Sequence, residues 1–384
     1  MKRIMESGTE TMIKILFFIP GLSEGGAEKV MCNLVNNLDQ STFDITVQTI
    51  DKYEPNQYLA DGIHYKAINR CRTRMGKKLF LYWFRLCAEL KVAYRFFVKA
   101  DYDIEVAYLE TAATKIIAQS TNKKAIKLAW VHCDLSKKEG MRQSVKKVRK
   151  QYARYDKIVC VSEDVRRGFI DLYGRHYDTV VLHNVIDDTE ILKKAQSPIT
   201  IRESNDNKMR FLALGRLTYQ KNFAYLIDTC ARLHDDGFKF QLDILGSGPE
   251  KENLEKQINA LGLKDYVKLR GYEDNPYPWM KKADVIVCSS RYEGISSVIL
   301  EALFLGKAVI TTPCSGMTEI LGKSIYGMIA EDSDHGLYDC MKCMITDSKI
   351  KVHYEQKALE RRKDFSKEEI LKETETFFFK IKQD

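Results

Sequence analysis

The pattern that most limits how this chain can fold is an alternation of short apolar runs with amphipathic helical segments, interrupted once and then resumed. Residues 14–19, 44–50, 104–107, 126–131, 157–161 and 180–183 read as strands, with helical stretches such as 27–38 and 163–172 between them. Residues 188–208 are polar, hold Pro198 and the Ser204-Asn205-Asp206-Asn207 cluster, and break the pattern. It restarts with strands over 211–214, 240–245, 267–269, 285–288 and 308–311, separated by helices such as 223–233 and 251–261. This predicts an α/β protein of two Rossmann-like, doubly wound parallel-sheet domains. They span residues 1–187 and 209–365, with 188–208 as linker and 366–384 as a last helix. Two such units leave a central cleft, and open parallel sheets bind ligands beyond the carboxyl ends of their strands.

At 45% hydrophobic and 30% charged, the 384 residues have a globular and not a disordered composition. The ten cysteines lie mostly in apolar runs such as 158–161, which suggests reduced thiols and a cytoplasmic setting. Cys340 and Cys343 form a C-x-x-C without a second pair, so structural zinc is not expected. No apolar run approaches the roughly 18 residues that span a bilayer. The run 13–22 follows Lys2 and Arg3, but Glu6 and Glu10 intervene and no small-residue cleavage site follows, so it reads as the first buried strand. Residues 1–11 read as an extension ahead of a start at Met12. A net charge of +8 suits nucleic acid, a membrane surface or a phosphorylated substrate. No recognisable nucleic-acid-binding module is present, and no nucleic-acid partner is expected.

The chemistry concentrates in residues 290–306. The apolar run 285–288 leads through Ser290, Glu293 and Gly294 into a helix with Val298, Ala302 and Leu305 on one face. Ser296 or Ser297 can cap that helix, leaving free backbone N–H groups and a positive dipole end beside Glu293. Glu301 follows eight residues after Glu293. A strand, a glycine turn and a helix start with two carboxylates can cradle a polyhydroxylated, phosphorylated ligand. This stretch resembles the E-x7-E element of the retaining GT-B glycosyltransferases of the family-4 (group 1) type. Four further pieces match that family in order: Gly25-Gly26-Ala27-Glu28, His183-Asn184-Val185-Ile186-Asp187, Gly215-Arg216-Leu217 with Gln220-Lys221-Asn222, and Gly246-Ser247-Gly248-Pro249-Glu250.

The resemblance implies a GT-B fold whose last helix crosses back to the N-terminal domain, and a hexosyltransferase-type reaction. The donor would be a nucleotide-sugar, UDP-sugar first and GDP-sugar second. The acceptor would be a glycan or lipid-linked glycan of the capsule, exopolysaccharide or lipopolysaccharide kind in a bacterium. Arg216 and Lys221 would bracket the donor diphosphate, where cations stabilise the charge that grows as the bond breaks. Glu301 would accept hydrogen bonds from the ribose and Glu293 would contact the transferred sugar. Backbone N–H groups of Gly294, Ile295, Ser296 and Ser297 would reach hydroxyls and phosphate oxygens, and Gly25, Gly26 and Gly215 would let the backbone approach the donor. Helix capping by an acid is the bland account of Glu293; it does not reach Glu301. His132, at a strand end, is either structural or sits near the reacting sugar. No carboxylate matches a glycosidase nucleophile, so the resemblance implies front-face displacement in which the leaving phosphate helps take the acceptor proton. No metal or other cofactor is expected. The D-x-D pairs 101–103 and 332–334 stand off the strand-end framework. A same-fold epimerase and a non-catalytic glycan- or nucleotide-sugar-binding relative are the rival readings.

One segment is left over. Across 79–98, Leu79, Trp83, Leu86, Leu90, Tyr94 and Phe97 recur at helical spacing, among Lys77, Lys78, Arg85, Lys91, Arg95 and Lys99. Such a helix near 77–99 either packs its apolar stripe on the core or lies in an anionic membrane interface. A second basic run, Lys146, Lys147, Arg149, Lys150 and Arg154, would add to the second alternative and place the protein peripherally on the inner face of the cytoplasmic membrane.

Overall fold

The structure is a computed structural model that describes residues 12–22, 25–54, 57–69, 71, 73–110, 112–137, 141–199 and 208–383. The extension 1–11 and the cluster 204–207 lie outside the described residues.

The first half alternates β1 (Ile13–Ile19), α1 (Gly26–Asn37), β2 (Phe43–Asp51), β3 (His64–Asn69), α2 (Arg74–Glu89), α3 (Ala93–Phe97), β4 (Ile104–Ala107) and α4 (Ala112–Ile117). It continues through β5 (Ile126–Val131), α5 (Met141–Tyr152), β6 (Lys157–Cys160), α6 (Glu163–Tyr173), β7 (Thr179–Val181) and α7 (Asp188–Lys194). The second half runs β8 (Met209–Leu214), α8 (Phe223–Asp235), β9 (Phe240–Leu245), α9 (Lys251–Ala260), β10 (Val267–Gly271), α10 (Tyr277–Lys282) and β11 (Val285–Cys288). It ends with α11 (Ser297–Phe304), β12 (Ala308–Thr311), α12 (Met317–Leu321), β13 (Met328–Ile329), α13 (Gly336–Thr346), α14 (Ser348–Arg361) and α15 (Lys367–Gln383).

Among the described residues these strands form two all-parallel sheets, ordered β3-β2-β1-β4-β5-β6-β7 and β10-β9-β8-β11-β12-β13. β1 and β11 are nearly uninterrupted apolar runs because helices cover both faces of each sheet. Strand order reverses beside β1 and again beside β8, which puts a ligand crevice at the loops after β1, β8 and β11. Those loops carry three of the five motifs; 183–187 follows β7 and 246–250 follows β9.

Three features depart from the sequence reading. β3 and β13 were not expected; the first is a half-exposed sheet edge and the second has two residues. The helix expected across 79–98 is two helices. Lys91 takes φ +61°, and the Val92 N–H closes on the Cys87 carbonyl at 3.0 Å, a Schellman turn with lysine where glycine usually sits. The start of the predicted linker is also helical. Asp187 caps α7 by accepting from the Glu190 N–H, and Asn275 and Lys281 of the second domain bond to Lys194 and Gln196.

α15 returns to the first sheet. Phe378 is fully buried, edge-on to Phe17 and Phe43 at 6.2 and 6.0 Å between ring centroids. Lys382 pairs with Asp103 at 2.6 Å, and Glu375 accepts from the Asp39 N–H at 2.9 Å. Asp103, one member of the first D-x-D pair, therefore anchors this helix. Phe378→Ala removes an aromatic ring that holds the last helix on the first domain. Denaturant titration should show a loss of about 3–5 kcal/mol.

Candidate active site

The second domain builds most of the site by stitching two loops together. After β8, Gly215 has φ +146°, and a Cβ there would lie 2.9 Å from Lys221 Cε. A short 3-10 turn over Tyr219–Lys221 ends at Asn222, itself left-handed at φ +52°. The loop after β11 is bonded to this turn at four points. The Arg291 N–H donates to the Gln220 carbonyl (2.8 Å) and Gln220 Nε2 to the Tyr292 carbonyl (3.0 Å). Ser289 Oγ donates to the Lys221 carbonyl (2.9 Å) and Arg291 Nη2 to Asn222 Oδ1 (2.8 Å).

The stitching places Lys221 Nζ 2.6 Å from Glu293 Oε1, and Ser290 Oγ donates to the same oxygen at 2.6 Å. Burial on its own disfavours the charged lysine, but the Glu293 carboxylate outweighs it and the Lys221 pKa is raised. Lys221 is thus a fixed cation at the strand end. Arg216 sits on the same loop with an exposed side chain that has no hydrogen-bond or ion-pair partner among the described residues. The structure brings Lys221 and Glu293 into contact and leaves Arg216 unengaged.

Ser296 is the N-cap residue of α11, but its hydroxyl does not cap. Ser296 Oγ is buried and without a partner, so it is available to a bound molecule, and the expected capping bond is absent. Gly25 is the N-cap residue of α1, and a Cβ on Gly26 would come within 3.9 Å of Ser297 Oγ. The N-termini of α1 and α11 therefore face each other, two positive dipole ends at one place.

The first domain contributes His132. Its Nε2 is enclosed and unpartnered, although the residue as a whole is only part-buried. Burial drives its pKa down to about 3, against a smaller opposing effect from a hydrogen bond to the Tyr108 backbone. The imidazole is neutral at physiological pH. Glu110, which sequence reasoning passed over, accepts from the backbone N–H groups of His132 (2.6 Å) and Cys133 (3.2 Å) and fixes this strand end.

The two halves of the site meet at Gly294. A Cβ there would lie 1.9 Å from the His132 carbonyl oxygen. The Asp134 N–H bonds to the Glu293 carbonyl (3.2 Å), and Ser162 Oγ to the Gly294 carbonyl (3.1 Å). Ser315–Asp134 (2.6 Å), Gly316–Asp164 (2.8 Å) and His183–Glu319 (2.6 Å) complete the join.

Glu301 lies on α11 and is 4% exposed. Its Oε1 accepts from Lys29 Nζ of α1 at 2.5 Å and from Tyr277 OH at 3.4 Å. Lys29 and Tyr277 were not singled out in the sequence. Lys29 is 272 residues from Glu301 and Tyr277 is 24, and neither forms part of a motif.

The depressed His132 pKa has a consequence for stability. The unfolded chain protonates this histidine near 6.5, and the folded chain resists until about 3. The folded state is therefore penalised progressively as pH falls below 6.5. Between pH 6.5 and 5 the penalty is about 2 kcal/mol. Melting curves of His132→Asn should lose less stability over that interval than those of the parent.

Comparison with known proteins accords with this geometry. The profile of the glycosyl transferases group 1 matches residues 208–347, and that of Glycosyltransferase Family 4 matches residues 24–190. An amylovoran biosynthesis glycosyltransferase, AmsD, of Erwinia amylovora is 25% identical over 365 residues, 94% of this chain and 98% of that protein. A Campylobacter jejuni N-acetylgalactosamine-N,N'-diacetylbacillosaminyl-diphospho-undecaprenol 4-alpha-N-acetylgalactosaminyltransferase is 35% identical over 195 residues. That match takes in 50% of this chain and spans about half the length of the Campylobacter enzyme, 51%. In fold, the chain is similar to Anabaena HepE in complex with UDP and glucose, with a TM-score of 0.73 at 19% identity over 96% of this chain and 100% of that one. With both halves matched in sequence and the two-domain architecture matched in space, the chain belongs to the group 1 glycosyltransferases of the GT-B fold.

Proposed function

We propose that this enzyme is a retaining glycosyltransferase that moves a sugar from a nucleotide-sugar, foremost a UDP-sugar, to a growing, lipid-linked cell-surface glycan. The observation that carries this reading is the convergence of Lys221 and the N-termini of α1 and α11 beside the buried carboxylates Glu293 and Glu301. Anionic diphosphate and neutral, hydroxyl-rich sugar each find their complement there. HepE has been seen with UDP and with UDP-glucose, and the Campylobacter and Erwinia relatives are named for a diphospho-undecaprenol-linked acceptor and for amylovoran synthesis.

In this reading the diphosphate leaves towards Lys221, Arg216 and the two helix ends, and the charge that develops on it meets charges already in place. Glu293 is held by Lys221 and Ser290, and so acts on the transferred sugar as a fixed acceptor and not as a nucleophile. His132 Nε2 and Ser296 Oγ, both lacking protein partners, take sugar hydroxyls. With no nucleophile on the far face, the acceptor hydroxyl enters on the face the diphosphate leaves, and a leaving phosphate oxygen removes its proton. Retention follows. Because cations of the chain meet the leaving charge, transfer is read as independent of a metal or other cofactor.

The acceptor's lipid would be met by α2 and α3. Phe80, Phe84 and Phe97 pack together inward, while Leu79 (67% exposed), Tyr82, Trp83, Leu86, Leu90 (64%) and Phe96 face out. Lys147 of α5 lies 3.6 Å from Glu89 at the end of α2, so the second basic run is adjacent. An exposed aromatic and basic surface fits the interface of an anionic membrane. No helix among the described residues is long and apolar enough to cross a membrane. The reading is of an enzyme held peripherally at the cytoplasmic face.

Turnover of a UDP-sugar panel tests the donor. Lys221→Ala, Arg216→Ala and Glu301→Ala should each weaken donor use by about 1–3 kcal/mol. Glu293→Ala should lower turnover more than UDP binding, and excess EDTA should change neither. Gly294→Ala forces a methyl into the His132 carbonyl and should cost on the order of 10²-fold in turnover through misalignment, while circular dichroism stays native. Trp83→Ser with Leu79→Ser should weaken flotation with phosphatidylglycerol vesicles. Undiminished flotation would leave α2 without a membrane role.

A further inference from the structure

We propose that Lys29, on α1 of the N-terminal domain, positions the donor's ribose by binding the carboxylate of Glu301 from across the cleft. The inference rests on the donor reading of Glu301 given above and adds a residue and a coupling to it.

A carboxylate as enclosed as that of Glu301 is stable as an ion only with compensating partners. Among the described residues both its partners are on one oxygen: Lys29 Nζ at 2.5 Å and Tyr277 OH at 3.4 Å bind Oε1. Oε2 is left for a ligand hydroxyl. Lys29 also donates to Tyr277 OH and lies 4.9 Å above the centre of its ring. Two of the three ammonium protons are thereby committed, and the third remains for a second hydroxyl or a phosphate oxygen. The Lys29 side chain keeps 44% of its surface exposed, and what enclosure its ammonium has opposes the charge; Glu301 and then Tyr277 raise its pKa, so it is an ammonium whenever the protein is folded near neutrality.

The three residues come from both domains. Lys29 is one turn into the helix that opens at Gly25 and Gly26, while Tyr277 and Glu301 belong to α10 and α11. A ribose diol entering here meets Oε2 of Glu301 and the free proton of Lys29 together, an acceptor from one domain and a donor from the other. Opening the cleft would separate them and would strand the Glu301 carboxylate. Recognition of the ribose and closure of the cleft are thus one event, set by a lysine outside every motif of the chain.

The test is discrimination between UDP and 2′,3′-dideoxy-UDP by calorimetry, with GDP and its dideoxy form as the second pair. The parent should prefer the ribonucleotide by about tenfold or more. Lys29→Gln should lower affinity for the ribonucleotide by about tenfold and for the dideoxy form by less than about twofold, so that discrimination collapses. Lys29→Arg should restore part of it, and Tyr277→Phe, which keeps the ring and the charge pair, should show an intermediate loss. A simple structural role would move both nucleotides equally. Equal loss for the two, or no loss, in a Lys29→Gln protein of native melting temperature overturns the role of Lys29. If Glu301→Gln still abolishes discrimination, the donor reading survives that result. A parent that binds neither pair, or that binds both forms equally, overturns the donor reading of Glu301 and this inference with it.

Discussion

Two carboxylates, Glu293 at 8% and Glu301 at 4% exposure, are shut between the domains, and the cost of burying an ion governs what surrounds them. Each needs a cation within hydrogen-bonding distance, and the chain meets the two needs differently. Glu293 is served from its own domain by Lys221, which requires the loop after β8 to double back through Gly215 and Asn222. Glu301 is served from the other domain by Lys29, which requires α1 to stand against α11. The first pair is a fixture of the second domain. The second exists only while the domains are together.

This difference explains how much of the site the sequence discloses. Residues held by neighbours on a common loop leave a local signature. Gly215, Lys221, Glu293 and Gly294 sit in short motifs at fixed offsets from strands, and those strands stand out because they end in the apolar runs 211–214 and 285–288. Lys29 and Tyr277 meet across segments far apart in the chain; Lys29 directly follows the 25–28 motif, but nothing in that motif tells that its side chain reaches Glu301. Ser296 is a third case. Its position at a helix start was legible, but the unbonded state of its hydroxyl was not, because capping depends on a side-chain rotation that sequence does not fix.

The fold repeats the lesson. Central strands such as β1 and β11 are continuous hydrophobic runs, while edge strands β3 and β13 are short or half wet and resemble loops. The break between α2 and α3 uses Lys91 in a conformation that glycine normally supplies, so composition carried no warning. That break has a use. It turns Phe97 back onto Phe80 and Phe84, and this inner aromatic packing leaves the stripe from Leu79 to Leu90 facing outward. The segment was read as apolar on one face. It is apolar on two, and one of them is covered by the protein.

The join between the domains leaves two buried polar atoms without a protein partner. His132 Nε2 and Ser296 Oγ are both sealed from water and unpaired, and each such atom costs about 1–3 kcal/mol relative to its hydrated state. Opening the cleft would rehydrate them, but it would also pull Lys29 from Glu301 and part the Gly294 loop from the ends of β5 and β6. The two effects oppose each other. A donor that bonds the two orphan atoms and adds its ribose to the Lys29–Glu301 pair removes the first penalty and deepens the second. Such a ligand binds the closed form more tightly than the open one, the condition for its arrival to shift the equilibrium. On this argument the unpaired atoms are not defects of packing. In the proposed reading they are the places where substrate would complete the protein's own hydrogen bonding.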